Sequence, residues 1–221
     1  MTGRILTLIK KDILLTECYL ILTGLILIAF PIFINCTIKG FMSSDYFLFI
    51  TIDFAAFLMF SQIYLMESKC SGSTWIVASP YSRHEILLSR YILLFLICMS
   101  GAAIYKILEI INPAYIFSGA PRITFAQMVF SVSLVLICYD FILPLLNFFP
   151  YEKVKITFAL VSVFIPLWGS LLIKSLLGLK DITVSVVPIT NKGAILLIVV
   201  DIILFICSLM ANRYLWEKKE F

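Results

Sequence analysis

Residues 67–91 read ESKCSGSTWIVASPYSRHEILLSRY, and the fold turns on where this stretch sits. It joins two long apolar segments, 45–66 and 87–111. It opens with Glu67, Lys69 and a Gly/Ser run, crosses a short apolar patch at residues 75–78 and breaks at Pro80. From Ser82 it restarts as a basic, helix-like run. Ser82 suits a helix N-cap because its hydroxyl can accept an orphan backbone N–H. Glu85, three residues on, completes a capping box, so the next helix is expected to start at Ser82. The residues ahead of it, within 67–86, are long enough for a separate short helix lying against another protein.

Composition names the solvent around this stretch. The chain has 221 residues, 62% hydrophobic and 14% charged, where a soluble domain has roughly 45–50% and about 25%. One core of this size cannot absorb the excess, so much of the surface must face lipid. A helix needs ~20 mostly apolar residues to cross the hydrocarbon, and only helices or closed barrels satisfy their backbone there. The apolar runs are continuous rather than alternating, which argues against a barrel. Six runs qualify: 19–38, 45–66, 87–111, 124–147, 156–178 and 193–214. The expected fold is all-α: a helix at 1–18, a six-span domain at 19–214 and a tail at 215–221. No gap between spans holds a soluble domain of 50 residues, and no cleavable-signal pattern is read.

Charge sets the expected orientation. Eleven of the seventeen Lys and Arg fall on the side of the termini and of residues 67–91, four fall on the other, and Lys106 and Lys174 lie in or near spans. Basic loops face the cytoplasm, so both termini and residues 67–91 are expected inside a cell membrane. The net charge of +4 is an orientation signal and a contact for anionic lipid, not a nucleic-acid footprint. Residues 2–17 are expected to form an amphipathic helix, with Ile5, Leu6, Ile9 and Ile13 on one face and Arg4, Thr7, Lys10 and Lys11 towards the other. Such a helix lies in the interface, either as an anchor for the first span or as an elbow that moves with the bundle.

Several chemistries lack their residues. The chain has no phosphate-cradling Gly-x-x-x-x-Gly-Lys-Ser/Thr loop. Its single histidine, His84, cannot form a His cluster, and the six cysteines include no Cys-x-x-Cys pair. The acids expected within spans, Asp53, Asp140 and Asp201, each stand alone on a helix. Charges in lipid usually face the bundle interior or water, so Asp53 and Asp201 either line a substrate path or bind a Ser, Tyr or Lys between helices. Asp140 is expected near a basic residue at the interface. Lys106 and Glu109, at i,i+3, should neutralise each other. Pro31, Pro144 and Pro166 fall within spans, where they kink helices. The many Phe residues of the second and fourth spans are read mostly as lipid-facing.

Two motifs carry a family resemblance. The first is Ser79-Pro80-Tyr81-Ser82-Arg83-His84-Glu85-Ile86 followed by Ser89-Arg90-Tyr91. The second is Leu143-Pro144-Leu145, then Phe148-Phe149-Pro150-Tyr151-Glu152-Lys153-Val154-Lys155. Together they resemble the small six-span permease subunits of type 2 ABC exporters, a group similar to exporters of amphipathic peptides such as phenol-soluble modulins. Ser79 replaces the usual Leu, Arg90 the usual Lys, Pro150 a common Gly and Lys155 a common Arg. The resemblance implies a permease without its own ATPase site and with no cofactor in this chain. ATP and Mg would be bound by a separate cytoplasmic ATPase subunit. A second permease copy, identical or a paralogue, would complete the pore. The ATPase contact would use Glu67, Lys69, Trp75, Arg83, His84 and Glu85, with Glu152 and Lys153 as a smaller contact. Asp53, Asp140 and Asp201 are candidates for the translocation path, and the cargo would be an amphipathic peptide, toxin or drug. Two rival classes are an ATP-independent channel or secondary transporter, for which no convincing internal repeat is found, and a membrane assembly factor using the same loop.

Overall fold

A computed structural model describes residues 2–37, 44–69, 81–111, 123–164 and 191–217. Among them every regular element is a helix: α1 (Thr2–Leu15), α2 (Glu17–Thr37), α3 (Ser44–Lys69), α4 (Arg83–Ile111), α5 (Phe125–Phe148), α6 (Tyr151–Ala159) with a π-helical turn at Leu160–Phe164, and α7 (Asn191–Glu217). Four of these, α3, α4, α5 and α7, are long and apolar enough to cross a membrane. The α1–α2 pair adds a fifth if it is counted as one bent span. The expected fifth span enters the described residues only as far as Phe164.

Helix α3 is the centre. Leu48, Ile52, Ala55, Ala56, Phe60 and Ile63 are fully buried along it, and α2, α4, α5 and α6 all pack on it. Helix α5 answers with Val135, Tyr139 and Leu143, also fully buried and spaced four residues apart, so one face of the helix points at α3. The phenylalanines of α3 correct the lipid-facing expectation. Phe47, Phe49 and Phe60 are buried, Phe54 stacks on Phe30 at 5.2 Å, and Phe57 meets Phe158 of α6 at 4.9 Å. In α5 the expectation fits Phe125 and Phe141, which are exposed on the outside of the bundle.

Local chemistry explains where helices stop. Thr16 sits at an 81° bend between α1 and α2. Its hydroxyl donates to the Asp12 carbonyl at 2.8 Å, while its own carbonyl accepts the Tyr19 and Leu20 N–H groups. Thr124 caps α5 in a capping box with Gln127. At the other end Phe149 is extended, as the residue before a proline prefers to be, and Pro150 starts α6 afresh. Gly101 lets three helices meet: a Cβ there would lie 2.8 Å from Ile52 Cγ1 and 3.3 Å from Leu27 Cδ2. Small residues commonly mark such close approaches between membrane helices.

Helix α1 carries an apolar face, though not quite the expected one. Ile5, Ile9 and Ile13 pack on the core with Leu8, while Leu6 is exposed. Asp12 is buried on the same side.

Candidate functional site

The start of α4 forms as expected. Ser82 N–H donates to Glu85 Oε2 at 2.9 Å, and Glu85 N–H donates to Ser82 Oγ at 3.2 Å. The Glu85 carboxylate is buried and spent on this box. Two turns further along α4, Arg90 is 3% exposed and sits in a polar cluster. Its Nη2 donates to both oxygens of Glu67, at 2.7 and 2.6 Å, the two-pronged geometry that a guanidinium offers a carboxylate. The guanidinium also lies over the Tyr64 ring, 4.4 Å from its centroid. Its Nη1 donates to Asn147 Oδ1 on α5, which accepts the Tyr64 hydroxyl at 2.8 Å as well.

From Asn147 the cluster runs on to α7 and into the bundle. Asn147 Nδ2 donates to Asn212 Oδ1 at 3.2 Å, and Asn212 Nδ2 donates to the Tyr91 hydroxyl at 3.0 Å. Ser208 Oγ donates to the Asp140 carbonyl. A hydroxyl has one hydrogen, so Tyr91 must be the donor in its bond with Ser208. Every donor in this series therefore points the same way, from the Arg90–Glu67 pair to the backbone of Asp140. On the α1 side, Lys11 approaches Glu67 at 3.7 Å and Asp12 at 3.0 Å. Burial pushes the Asp12 carboxyl up, against the pull of Lys11.

The residues predicted as one coupling surface fall into distinct settings. Glu67 and Glu85 turn inward, the first to Arg90 and the second to its own helix cap. Lys69 in the last turn of α3 is exposed, as are Glu152 and Lys153 in the first turn of α6. Glu152 also accepts from Lys155 at 2.6 Å, which pushes the Lys155 ammonium pKa up. Arg83 and His84 lie in the first turn of α4, and Trp75 lies outside the described residues. Tyr64 stacks on Tyr151 at 6.3 Å, so the end of α3 and the start of α6 share one end of the bundle. Thr7 of α1 reaches the Tyr81 hydroxyl at the same end, 3.2 Å away.

The three span acids part company. Asp53 is buried at the middle of α3, with Oδ1 lacking a hydrogen-bond partner. Asp140 and Asp201 line one pocket. Asp140 has no cation paired to it among the described residues; its charged neighbour is Asp201, which corrects the expectation of a basic partner. Lys106 and Glu109 pair at 2.6 Å as expected. They also clasp the start of α5, Lys106 donating to the Ile123 carbonyl at 3.2 Å and Glu109 accepting its N–H at 3.1 Å.

A family model described as "ABC-2 family transporter protein" matches residues 7–213. The chain belongs to the ABC-2 transporter family. No curated protein and no solved structure matches it. Membership makes this ABC-2 protein a multi-pass membrane permease component, a transport subunit whose family implies an ATPase partner. The matched region takes in the whole Arg90 cluster, from Lys11 to Asn212.

Sequence reading missed that cluster. The sequence offers Arg90 as a motif residue and a cytoplasmic-side charge, and marks Tyr64, Asn147, Ser208 and Asn212 with no motif. A signal was present for the last two: they stand four residues apart in a helix otherwise dominated by apolar side chains, a spacing that puts both on one face.

Proposed function

We propose that this ABC-2 permease is the transmembrane subunit of an exporter driven by a separate cytoplasmic ATPase, with six spans and both termini in the cytoplasm. Lys and Arg distribution supports the orientation, and the apolar run 156–178 supports the added span. Two copies would give a symmetric path matched to two ATPase subunits. The ATPase would grip Lys69, Trp75, Arg83 and His84, with Glu152 and Lys153 beside them. Glu67 and Glu85 would hold that surface to the bundle rather than touch the partner. Amphipathic molecules (peptide, toxin or drug) are the proposed cargo.

The observation that carries this reading is the ion pair of buried Arg90 with part-buried Glu67. Glu67 opens the 67–91 stretch and Arg90 nearly closes it, so a pull on the intervening residues acts on α3 and α4 together. A buried ion pair resists being separated, since removing one partner costs about 3–5 kcal/mol. The pull therefore passes on to α5 and α7 through Asn147. Conformational coupling of this kind needs an element with two arrangements that ATP binding can bias.

Charge reversal tests it. The complex with its ATPase is purified with Arg83→Glu, and ATP hydrolysis and membrane insertion are measured together. Insertion should persist while coupled hydrolysis falls about tenfold or more, the effect of ~1.4 kcal/mol at an interface where like charges now meet. Normal hydrolysis would remove Arg83 from the contact, and failure of the chain to co-purify with any ATPase would remove the whole reading.

A further inference from the structure

Helices α4, α5 and α7 line a half-open pocket of about 280 Å³. Tyr91, Phe95, Ile202 and Phe205 form much of its wall, which is almost wholly apolar, and Asp140 and Asp201 are among its lining residues. Tyr91 and Phe205 meet edge to face at 5.0 Å, giving the wall a fixed aromatic corner. The pocket lies part-way along all three spans, well inside their ends.

Its charge is unbalanced. Asp201 is only 9% exposed, and its buried Oδ1 has no hydrogen-bond partner. Among the described residues no Lys or Arg pairs with either acid. The backbone of Asp140 is fixed by Ser208, so its position at the pocket is set by the same series of hydrogen bonds that starts at Arg90. An ionised carboxylate in apolar surroundings is costly unless it takes up a proton or a counter-charge arrives, and two that share one pocket repel each other as well. A metal ion would want more oxygen ligands than two carboxylates and apolar walls provide, and no group of three His, Cys, Asp or Glu stands together among the described residues. An organic cation with an apolar body fits all three features. Its charge answers the acids, its body fills the apolar volume, and aromatic faces attract cations.

We propose that the Asp140–Asp201 pocket binds a lipophilic organic cation. That such a cation is cargo rests on the exporter reading, while its binding does not.

The test uses the purified full chain in nonionic detergent micelles, without any ATPase. Equilibrium dialysis measures saturable binding of tetraphenylphosphonium, with tetraphenylborate as an anion of nearly the same size and shape. Wild type should bind tetraphenylphosphonium saturably, and tetraphenylborate should not displace it. Asp201→Asn and Asp140→Asn, which preserve shape while removing charge, should each weaken binding by about tenfold or more, the effect of losing ~1.4 kcal/mol. Equal binding of the two ions to wild type would overturn the proposal without recourse to any variant. So would undiminished binding in both variants, once their thermal unfolding midpoints confirm that they fold. Because no ATPase is present, a failure here leaves the exporter reading intact. Likewise, a failure of the Arg83→Glu experiment leaves the pocket intact.

Discussion

Helices α3 and α7 invert the rule that the most apolar segment is the most buried. The membrane-crossing part of α3 has a mean hydropathy of 1.8 and is 67% buried within the chain, whereas that of α7 reaches 2.9 and is 17% buried. In water the order would be reversed, since burial is what removes apolar surface from solvent. In lipid, apolar surface needs no burial, so hydropathy reports the solvent and packing reports the protein. Helix α3 carries Asp53, Thr51 and Tyr64 inside the bundle. Helix α7 leaves Ile195, Leu196, Ile202, Ile203 and Met210 open to the outside. Its inward face is a narrow polar seam.

The contrast breaks hardest at Arg90. Arg90→Ala leaves the Glu67 carboxylate in the bundle without its main partner and strips Asn147 of a donor. Unfolding in detergent should show a loss of about 3–5 kcal/mol. Arg90→Lys should recover only part of it, because an ammonium lacks the two-pronged fork. A loss below ~1 kcal/mol for Arg90→Ala would mean that the cluster does not hold α3 to α4.

A matched pair of truncations sharpens the comparison itself. Ile52, fully buried on α3, touches the close approach at Gly101, whereas Ile203 on α7 is 55% exposed. Ile52→Ala should cost about 1–3 kcal/mol. That is the lower part of the usual range for such a cavity, because lipid tails are as apolar as the protein interior and the transfer contribution falls away. Ile203→Ala should change the same unfolding curve by about 0.5 kcal/mol or less. Equal losses at both positions would mean that α7 is covered by something more closely packed than lipid. The most local effect belongs to the α4 cap. Ser82→Ala should cost about 1 kcal/mol, and hydrogen exchange should show faster opening confined to the first turn of α4.

The sequence made some of this legible because the signals were local. Membrane-spanning runs, the Ser82–Glu85 box and the Lys106–Glu109 pair each depend on residues within a few positions of one another. The Arg90 cluster does not: Glu67, Arg90, Asn147 and Asn212 come from four helices, and only the packing of α3, α4, α5 and α7 brings them together. The same holds for Asp140 and Asp201, isolated on their own helices yet sharing one pocket. The phenylalanines of α3 were misread for the reason the α3–α7 contrast gives: composition cannot separate an aromatic facing lipid from one facing another helix. Trp75 and most of residues 156–178 lie outside the described residues, and their roles remain proposals.

The polar seam of α7 has a rotational consequence. Successive residues of a helix are offset by about 100°, so turning α7 by one position would swing Ser208 and Asn212 off the Tyr91 hydroxyl, the Asn147 amide and the Asp140 carbonyl at once. The orphaned groups would then face hydrocarbon, which supplies no replacement. Spinning α7 about its own axis is thus a stepped motion with a high barrier, whereas tilting it about the seam disturbs only apolar contacts that lipid can remake. In any cycle of this transporter, α7 is built to lean rather than to turn.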